Sequence, residues 1–222
     1  MVEFAVLIPA YNAAKTLPDV LRMISSGGWK AEVVVVDDGS TDDTGKKARE
    51  LGARVIRHER NLGKGAALST GFRSILGMAK VSAVVTVDAD LQHDIRDLGK
   101  FIDARIKTGA NIVLGRRKRV GSGMPLSRIL SNSITSFLVT ARTGVSIPDS
   151  QCGYRLIGRE VLENVDVESD GYEAETELLI RAAARGFRIA WVPVNTVYRG
   201  ESSHMTHWKT TSRFIRTLFK EY

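Results

Sequence analysis

Val84-Val85-Thr86-Val87-Asp88-Ala89-Asp90-Leu91-Gln92-His93 sets a short run suited to a buried strand directly before two aspartates one residue apart. In an extended backbone alternate side chains point to the same side, so Asp88, Asp90 and Gln92 converge. Two carboxylates held that close repel unless a cation or ligand donors join them. The stretch poses the question of what that partner is.

Outward from this turn, β-rich runs alternate with stretches of helical period. Val6–Ile8, Val33–Val36, Val55–Ile56, Val84–Val87 and Ile112–Leu114 read as strands, mostly buried on both faces. Between them Leu68, Phe72, Ile75, Leu76 and Ala79, and then Ile95, Leu98, Ile102 and Ile106, recur at helical spacing. The alternation predicts an α/β chain with a mostly parallel sheet and helices on both faces. Such sheets bind ligands beyond the carboxyl ends of their strands. Three polar clusters therefore share one rim: Pro9-Ala10-Tyr11-Asn12, Asp37-Asp38-Gly39-Ser40 and Asp88-Ala89-Asp90.

Beyond Leu114 the basic, glycine-rich GRRKRVGSGMP (115–125) reads as a loop. The pattern then predicts a helix from about Leu126 to Thr143, the irregular lead DSQCGYRLI (149–157) into a short strand, a helix over Glu173–Arg185 with Gly186 at its C-cap, and a strand at Arg188–Val192. The last segment, from about Thr206 to Tyr222, segregates as a helix. Lys209, Arg213, Arg216 and Lys220 fall on one stripe, with Trp208, Ile215, Leu218, Phe219 and Tyr222 opposite.

The 222 residues suffice for one well-filled domain, and 43% hydrophobic with 26% charged residues is the composition of a globular protein. No apolar run approaches the ~18 residues that span a bilayer. Glu3 precedes Phe4-Ala5-Val6-Leu7-Ile8 and no basic segment leads it, so this run reads as the first strand rather than a signal peptide. A single cysteine, Cys152, fits a cytoplasmic location and reads as a small buried side chain. The net charge of +7 favours an anionic partner: a nucleotide or an anionic membrane surface. Nucleic acid is disfavoured, because zinc-finger spacing and RNP-like stretches are missing from the sequence.

Each cluster has a chemistry and a plainer alternative. Asp88, Asp90 and Gln92 offer oxygen ligands to Mg²⁺ or Mn²⁺, or else form a polar turn. Asp38 offers a carboxylate to a base N–H or to ribose hydroxyls, while Thr41 or Asp42 caps the next helix. The stretch 61–65 is no Walker loop, since Ala66 stands where Ser or Thr is needed, but it places Lys64 at a helix start. Arg116, Arg117, Lys118, Arg119 and Arg128, joined by Arg199, form either a solvated face or a phosphate clamp. Glu173, Glu175 and Glu177 open a predicted helix; Glu175 or Glu177 serves as a base, or the set merely complements the helix dipole. His204 and His207 lack a third metal ligand and read as surface residues.

Taken together, VLIPAYN, VVVVDDGSTDDT, NLGKGAAL, VDADLQHD and DSQCGYRL resemble, in that order, the family 2 glycosyltransferases of the GT-A (Rossmann-like) fold. The likeness is strongest to the dolichyl-phosphate mannose synthase and polyprenyl-phosphate glycosyltransferase branch. It implies a GT-A domain over 1–205, with a nucleotide-sugar-binding half (1–115) and an acceptor half (116–205), followed by a basic amphipathic C-terminal helix (206–222). By position it implies that Pro9, Tyr11, Asn12, Asp38 and Asp88 bind the nucleotide sugar; that Asp88, Asp90 and Gln92 hold the metal; that Asp90, Arg117 and Arg199 are catalytic; and that Arg128 and Ser131 meet the acceptor phosphate. Lys64 joins the nucleotide-sugar set from its place at a helix start, and Glu175 the catalytic set from its place in the predicted helix. The string departs from the usual pattern at Ile95, at Gly115-Arg116-Arg117 and at Ser203-His204.

The resemblance implies a metal-dependent, inverting transfer from a GDP- or UDP-sugar to a polyprenyl phosphate. Such an acceptor is already anionic at neutral pH and attacks without a general base. The alternatives are a soluble enzyme acting on a saccharide hydroxyl with Glu175 as base, and a nucleotide-sugar-binding module without turnover. A lipid acceptor places the protein at the inner face of the membrane as a peripheral protein. The C-terminal helix either lies on that surface or packs on the core.

Overall fold

Ala5, Val6, Leu7 and Ile8 are fully buried on both faces of β1 (Phe4–Ala10), which makes this strand the spine of the molecule. The computed structural model describes residues 3–118, 123–196 and 207–221, the side chains of 207–210 excepted. β1 pairs in parallel with β2 (Glu32–Asp37) on one side and β4 (Ala83–Thr86) on the other. β3 (Arg54–Arg57) extends the β2 edge in parallel. On the opposite side β6 (Arg155–Gly158) runs antiparallel between β4 and β5 (Ile112–Arg117), and β7 (Ile189–Val194) closes the sheet parallel to β5. The order is β3-β2-β1-β4-β6-β5-β7, a mostly parallel sheet.

The helices cover both faces because the strands are apolar on both. On one face Val6 and Ile8 pack with Leu17, Val20 and Ile24 of α1 (Leu17–Ser26), Ala48 of α2 (Thr44–Glu50) and Phe101 of α4 (Leu98–Thr108). On the other, Leu7 and Val36 pack with Ala67, Leu68 and Ile75 of α3 (Lys64–Leu76). Further along this face Ile112 and Ile157 meet Val139 of α5 (Leu126–Thr143) and Leu178–Ile180 of α7 (Ala174–Ala184). α6 (Arg159–Asn164) follows β6 and adds Val161 to the same cluster, while Phe214 and Leu218 of α8 (His207–Phe219) complete it. Each fully buried aliphatic or aromatic side chain contributes roughly 1.5–3 kcal/mol. Among the described residues no helix is long and apolar enough to cross a membrane.

Several elements differ from expectation for physical reasons. β3 is only partly buried, because it is the sheet edge. α3 stops at Leu76 with Gly77 as its C-cap, which leaves Ala79 beyond the helix. Ile95 lies in a 3₁₀ turn (Ile95–Asp97) whose tighter period breaks the helical phase, and Ile106 is 66% exposed. α5 has the expected bounds, yet much of its apolar side faces outward. In α8 the buried seam is Phe214 and Leu218, with Ile215 and Phe219 exposed; the side chains of Trp208 and Tyr222 fall outside the described residues.

The start of α3 is pressed against the 169–174 segment. Gly63 has φ +103, and a Cβ there would lie 2.4 Å from the Asp170 carbonyl oxygen. A Cβ on Gly65 would lie 2.6 Å from both the Ser169 carbonyl oxygen and the Ala174 Cβ. Helix propensity alone predicts that Gly65→Ala gains up to ~1 kcal/mol. The close approach reverses the sign: the expected outcome is a net loss of ~1–3 kcal/mol, read as a lower urea midpoint with an unchanged slope.

Candidate active site

Parallel pairing of β1, β2 and β4 lines up their carboxyl ends, so the three polar clusters meet on one rim. Asn12 stands at its centre with φ 50°. Its amide donates to Ser40 Oγ at 3.0 Å, and its side-chain oxygen accepts from Thr41 N at 2.8 Å. Tyr11 beside it is exposed and Pro9 is half-buried within β1, so these three residues form one open wall. Asp42 accepts from Thr44 N at 3.0 Å and secures the start of α2.

Asp38 is buried and largely occupied. Its carboxylate accepts from Leu62 N at 2.9 Å and Gly63 N at 2.8 Å, and His58 Nδ1 lies 2.7 Å away. Nε2 of His58 lies 3.0 Å from Thr70 Oγ1 of α3. Asp38 thus ties the 61–63 loop into place, its Oδ2 accepting from Gly63 N. His58 had no motif to mark it in the sequence; only the fold brings it to Asp38.

The acid turn after β4 is organised by Lys64. Its Nζ lies 2.7 Å from Asp88 Oδ1 and 2.9 Å from Glu175 Oε2. Glu175 Oε1 in turn lies 3.8 Å from Nε of the fully buried Arg155. That guanidinium donates to the carbonyls of Cys152, Glu175 and Ser150 at 2.8, 2.7 and 2.7 Å. Burial pulls the Lys64 ammonium toward neutrality, but Asp88 and Glu175 outweigh it and hold its pKa above the lysine range. Burial likewise pushes Asp88 up, and Lys64, with Arg117 further off, overcomes this and holds the carboxyl well below the usual range.

His93 Nδ1 accepts from Asp88 N at 3.3 Å, and the ring stacks on Tyr154 at 5.0 Å. Burial lowers the pKa of His93, so the imidazole is neutral and carries its proton on Nε2, 3.7 Å from Asp88 Oδ2. A Cβ on Gly153 would fall 2.4 Å from Asp88 Oδ2, so the glycine of the 149–157 lead makes room for the carboxylate.

Asp90 is the contrasting carboxylate. Its Oδ1 accepts from Gln92 N at 2.9 Å, and among the described residues it makes no ion pair. Burial, then the charge of Asp88, pushes its pKa up. Leu91, between Asp90 and Gln92, has φ 61°; with Asn12 it is one of two non-glycine residues at positive φ among those described, and both lie on this rim. Such a conformation costs roughly 1–2 kcal/mol for an L-residue.

A groove of about 700 Å³ lies at the β5–β7 end, lined by Lys100, Arg116, Arg117 and Lys118 with Pro148 and Pro193. Asp149 orients Arg117 bidentately, with Nε–Oδ2 at 2.8 Å and Nη2–Oδ1 at 2.9 Å. Arg116 lies 5.0 Å from the Trp191 ring. Arg128 and Ser131 sit in the early turns of α5, and neither lines the groove. Arg119, Arg199, Ser203 and His204, and the side chain of His207, lie outside the described residues. Of the three glutamates only Glu175 faces the site. Glu173 lies 3.5 Å from Arg213, and Glu177 lies 2.7 Å from Arg181 while accepting from Ser169 N. Cys152 is buried, which pushes its thiol up to about 12.

Residues 5–166 match the family model described as Glycosyl transferase family 2. The chain is 34% identical over 210 residues to the polyprenol monophosphomannose synthase of Mycolicibacterium smegmatis, across 87% of this chain and 77% of that protein. It is 30% identical over 214 residues to the UDP-N-acetylglucosamine–dolichyl-phosphate N-acetylglucosaminyltransferase of Methanococcus voltae, across 86% and 84%. Glucosyl-3-phosphoglycerate synthase from Mycobacterium tuberculosis, crystallised with Mn²⁺, UDP and glucosyl-3-phosphoglycerate, superposes with a TM-score of 0.75 at 27% identity, covering 97% of this chain and 78% of that one.

The Lys64 tie makes a signed pH prediction. With its pKa depressed, Asp88 contributes stability that is present above about pH 4 and lost as the pH falls further. Lys64→Met leaves Asp88 without its nearest cation and Glu175 with Arg155 alone, and is expected to cost ~2–4 kcal/mol at pH 7. Burial then raises the folded-state pKa of Asp88 above its unfolded value, so the deficit shrinks as the pH is lowered from 7 toward about 5. Urea midpoints of both proteins at the two pH values measure this; equal deficits would show that Lys64 does not govern the charge of the site.

Proposed function

This chain belongs to glycosyl transferase family 2, and from that premise we propose that it transfers a sugar from a nucleotide sugar to a polyprenyl phosphate at a membrane surface, with a divalent cation. One juxtaposition carries the reading. An acid turn whose Asp90 has no ion pair among the described residues shares the site with Arg117, whose charge acts on Asp88 and which also lines the cationic groove. The two features match the two anionic reactants of such a transfer.

The residues fit a divalent cation. Asp88, Asp90 and Gln92 are hard oxygen donors, and the raised pKa of Asp90 marks a carboxylate pair short of positive charge. Among the described residues no three His, Cys, Asp or Glu side chains form a metal cluster, so phosphates and water would complete the coordination. When bound, the ion neutralises charge developing on the departing diphosphate.

The chain's own groups do the rest. Lys64 keeps Asp88 ionised, and Gly153 lets that carboxylate sit against the backbone. Pro9, Tyr11, Asn12 and Asp38 wall the nucleoside. Arg117, oriented by Asp149, and its cationic neighbours attract the acceptor phosphate and shield its approach. A phosphate oxygen attacks the anomeric carbon, the bond to the diphosphate breaks with its electron pair on the leaving group, and the configuration inverts. Arg128 and Ser131 would meet the acceptor only as it descends along α5. The reading with a saccharide hydroxyl needs a free base, and the oxygens of Glu175 face Lys64 and Arg155 instead.

Labelled GDP- and UDP-sugars offered with polyprenyl phosphate and Mn²⁺ should place label in the lipid fraction. Chelation by EDTA should abolish transfer, and Asp90→Asn should lower kcat on the order of 10²-fold or more with the fold intact. Label found only in a water-soluble product, or transfer indifferent to EDTA, would overturn the reading.

A further inference from the structure

Gly63 is the N-cap of α3 and has no side chain to cap it with. Asp38 supplies the cap from beyond β2. Its Oδ1 accepts from Leu62 N at 2.9 Å and its Oδ2 from Gly63 N at 2.8 Å. A carboxylate on the amides at a helix start suits the helix dipole. His58 completes the arrangement. It follows β3, and its amide donates to the Asp37 carbonyl at 2.9 Å. Its Nδ1 donates to Asp38 Oδ1 at 2.7 Å, because a carboxylate only accepts, and its Nε2 meets Thr70 Oγ1 at 3.0 Å. Thr70 lies about two turns into α3. One imidazole, 10% exposed and so largely shielded from water, therefore braces α3 at its cap and again along its length. Lys64 follows the clamped Gly63 directly, and its ammonium divides between Asp88 at 2.7 Å and Glu175 at 2.9 Å. Ala66 N donates to the Asp170 carbonyl at 3.0 Å, so the start of α3 is held from two sides.

We propose that His58 is a positioning residue of the donor site: through Asp38 and the 61–63 loop it sets where the Lys64 ammonium stands, and with it the diphosphate end of the site. The role rests on the nucleotide-sugar donor proposed above. Hydrogen bonds of these lengths tolerate a drift of only about half an ångström, so a loosened 61–63 loop costs the ammonium one of its two partners. Asp88 then loses the charge that opposes its burial. Direct reading of the base by His58 fits less well. Both ring nitrogens are engaged within the protein, which leaves the imidazole no polar atom to offer a nucleoside. Its effect therefore belongs at the diphosphate, one relay away, and not at the nucleoside beside it.

The test is calorimetric binding of UDP or GDP with Mn²⁺ to the full chain, without acceptor. His58→Phe keeps a ring but lacks both nitrogens, and should weaken diphosphate binding about tenfold. His58→Asn retains a donor near the Nδ1 position and should recover most of the affinity. In a Lys64→Met background His58→Phe should cause no further loss, because its effect passes through the ammonium. The same loss with and without Lys64 would mark a merely structural cap and overturn the proposal. An equal loss for uridine or guanosine, which lack the diphosphate, would overturn it too. Circular dichroism checks folding; should His58→Phe not fold, His58→Gln, whose amide reaches toward Thr70 and away from Asp38, takes its place in the comparison. If Lys64→Met binds too weakly to measure, urea midpoints of the four proteins decide: additive losses overturn the role, and a smaller loss in the Lys64→Met background supports it. A parent that binds neither nucleotide would sink the donor assignment, and the same midpoints would still judge His58.

Discussion

The ammonium of Lys64 joins three segments distant in sequence. It stands at the start of α3, reaches the carboxylate beyond β4 and meets the first turn of α7. Burial pushes the Asp88 carboxyl up and the Lys64 ammonium down, and each offsets that push on the other, with Glu175 sharing the ammonium. The pair therefore couples the docking of α3 and α7 to the charge of the acid turn, and misplacing any of the three elements disturbs the other two. Arg155 extends the alternation of charges inward, with three carbonyls fixing its guanidinium.

That arrangement is possible only where side chains are missing. Gly63 and Gly65 let the start of α3 approach the 169–174 backbone, and Gly153 leaves space for the Asp88 carboxylate. Backbone strain has a similar distribution. Asn12 and Leu91 both take a left-handed conformation on the same rim, one where the chain donates to the Ser40 hydroxyl, the other turning the chain between Asp90 and Gln92, whose amide donates to Asp90. The surrounding hydrogen bonds hold these conformations in place, which is the expected state of a preorganised site.

The strands were legible because β-branched runs ended abruptly in polar turns, and a parallel sheet with one functional rim followed. The direction of β6 was not, since four residues flanked by irregular chain carry no mark of parallel or antiparallel pairing. Ile106 misled because successive steps of four drift round an α-helix: two such steps from the buried Leu98, it has left the face that Leu98 and Phe101 bury. Asp88 and Asp90 looked equivalent on paper. Their difference comes from Lys64, which is distant in sequence and becomes a neighbour only in the fold. For the same reason Asp38 looked open, whereas His58 and two backbone amides occupy most of it. Types and spacings showed which residues were polar at strand ends; long-range partners decided what each of them does.

Charge is divided between two places with opposite requirements. The acid turn lies deep, where low dielectric makes each pairing strong and an unpaired carboxylate expensive. Lys100, Arg116 and Lys118 line the groove nearer the surface, where single pairs contribute little but neighbouring cations together attract an anionic partner. A uniform net charge of +7 would do neither task. Asp149 shows that the division is not absolute: it engages the Nε and Nη2 of Arg117 and fixes that guanidinium at the groove wall. A guanidinium so held loses little entropy when it meets a phosphate, whereas the exposed cations act through their summed field.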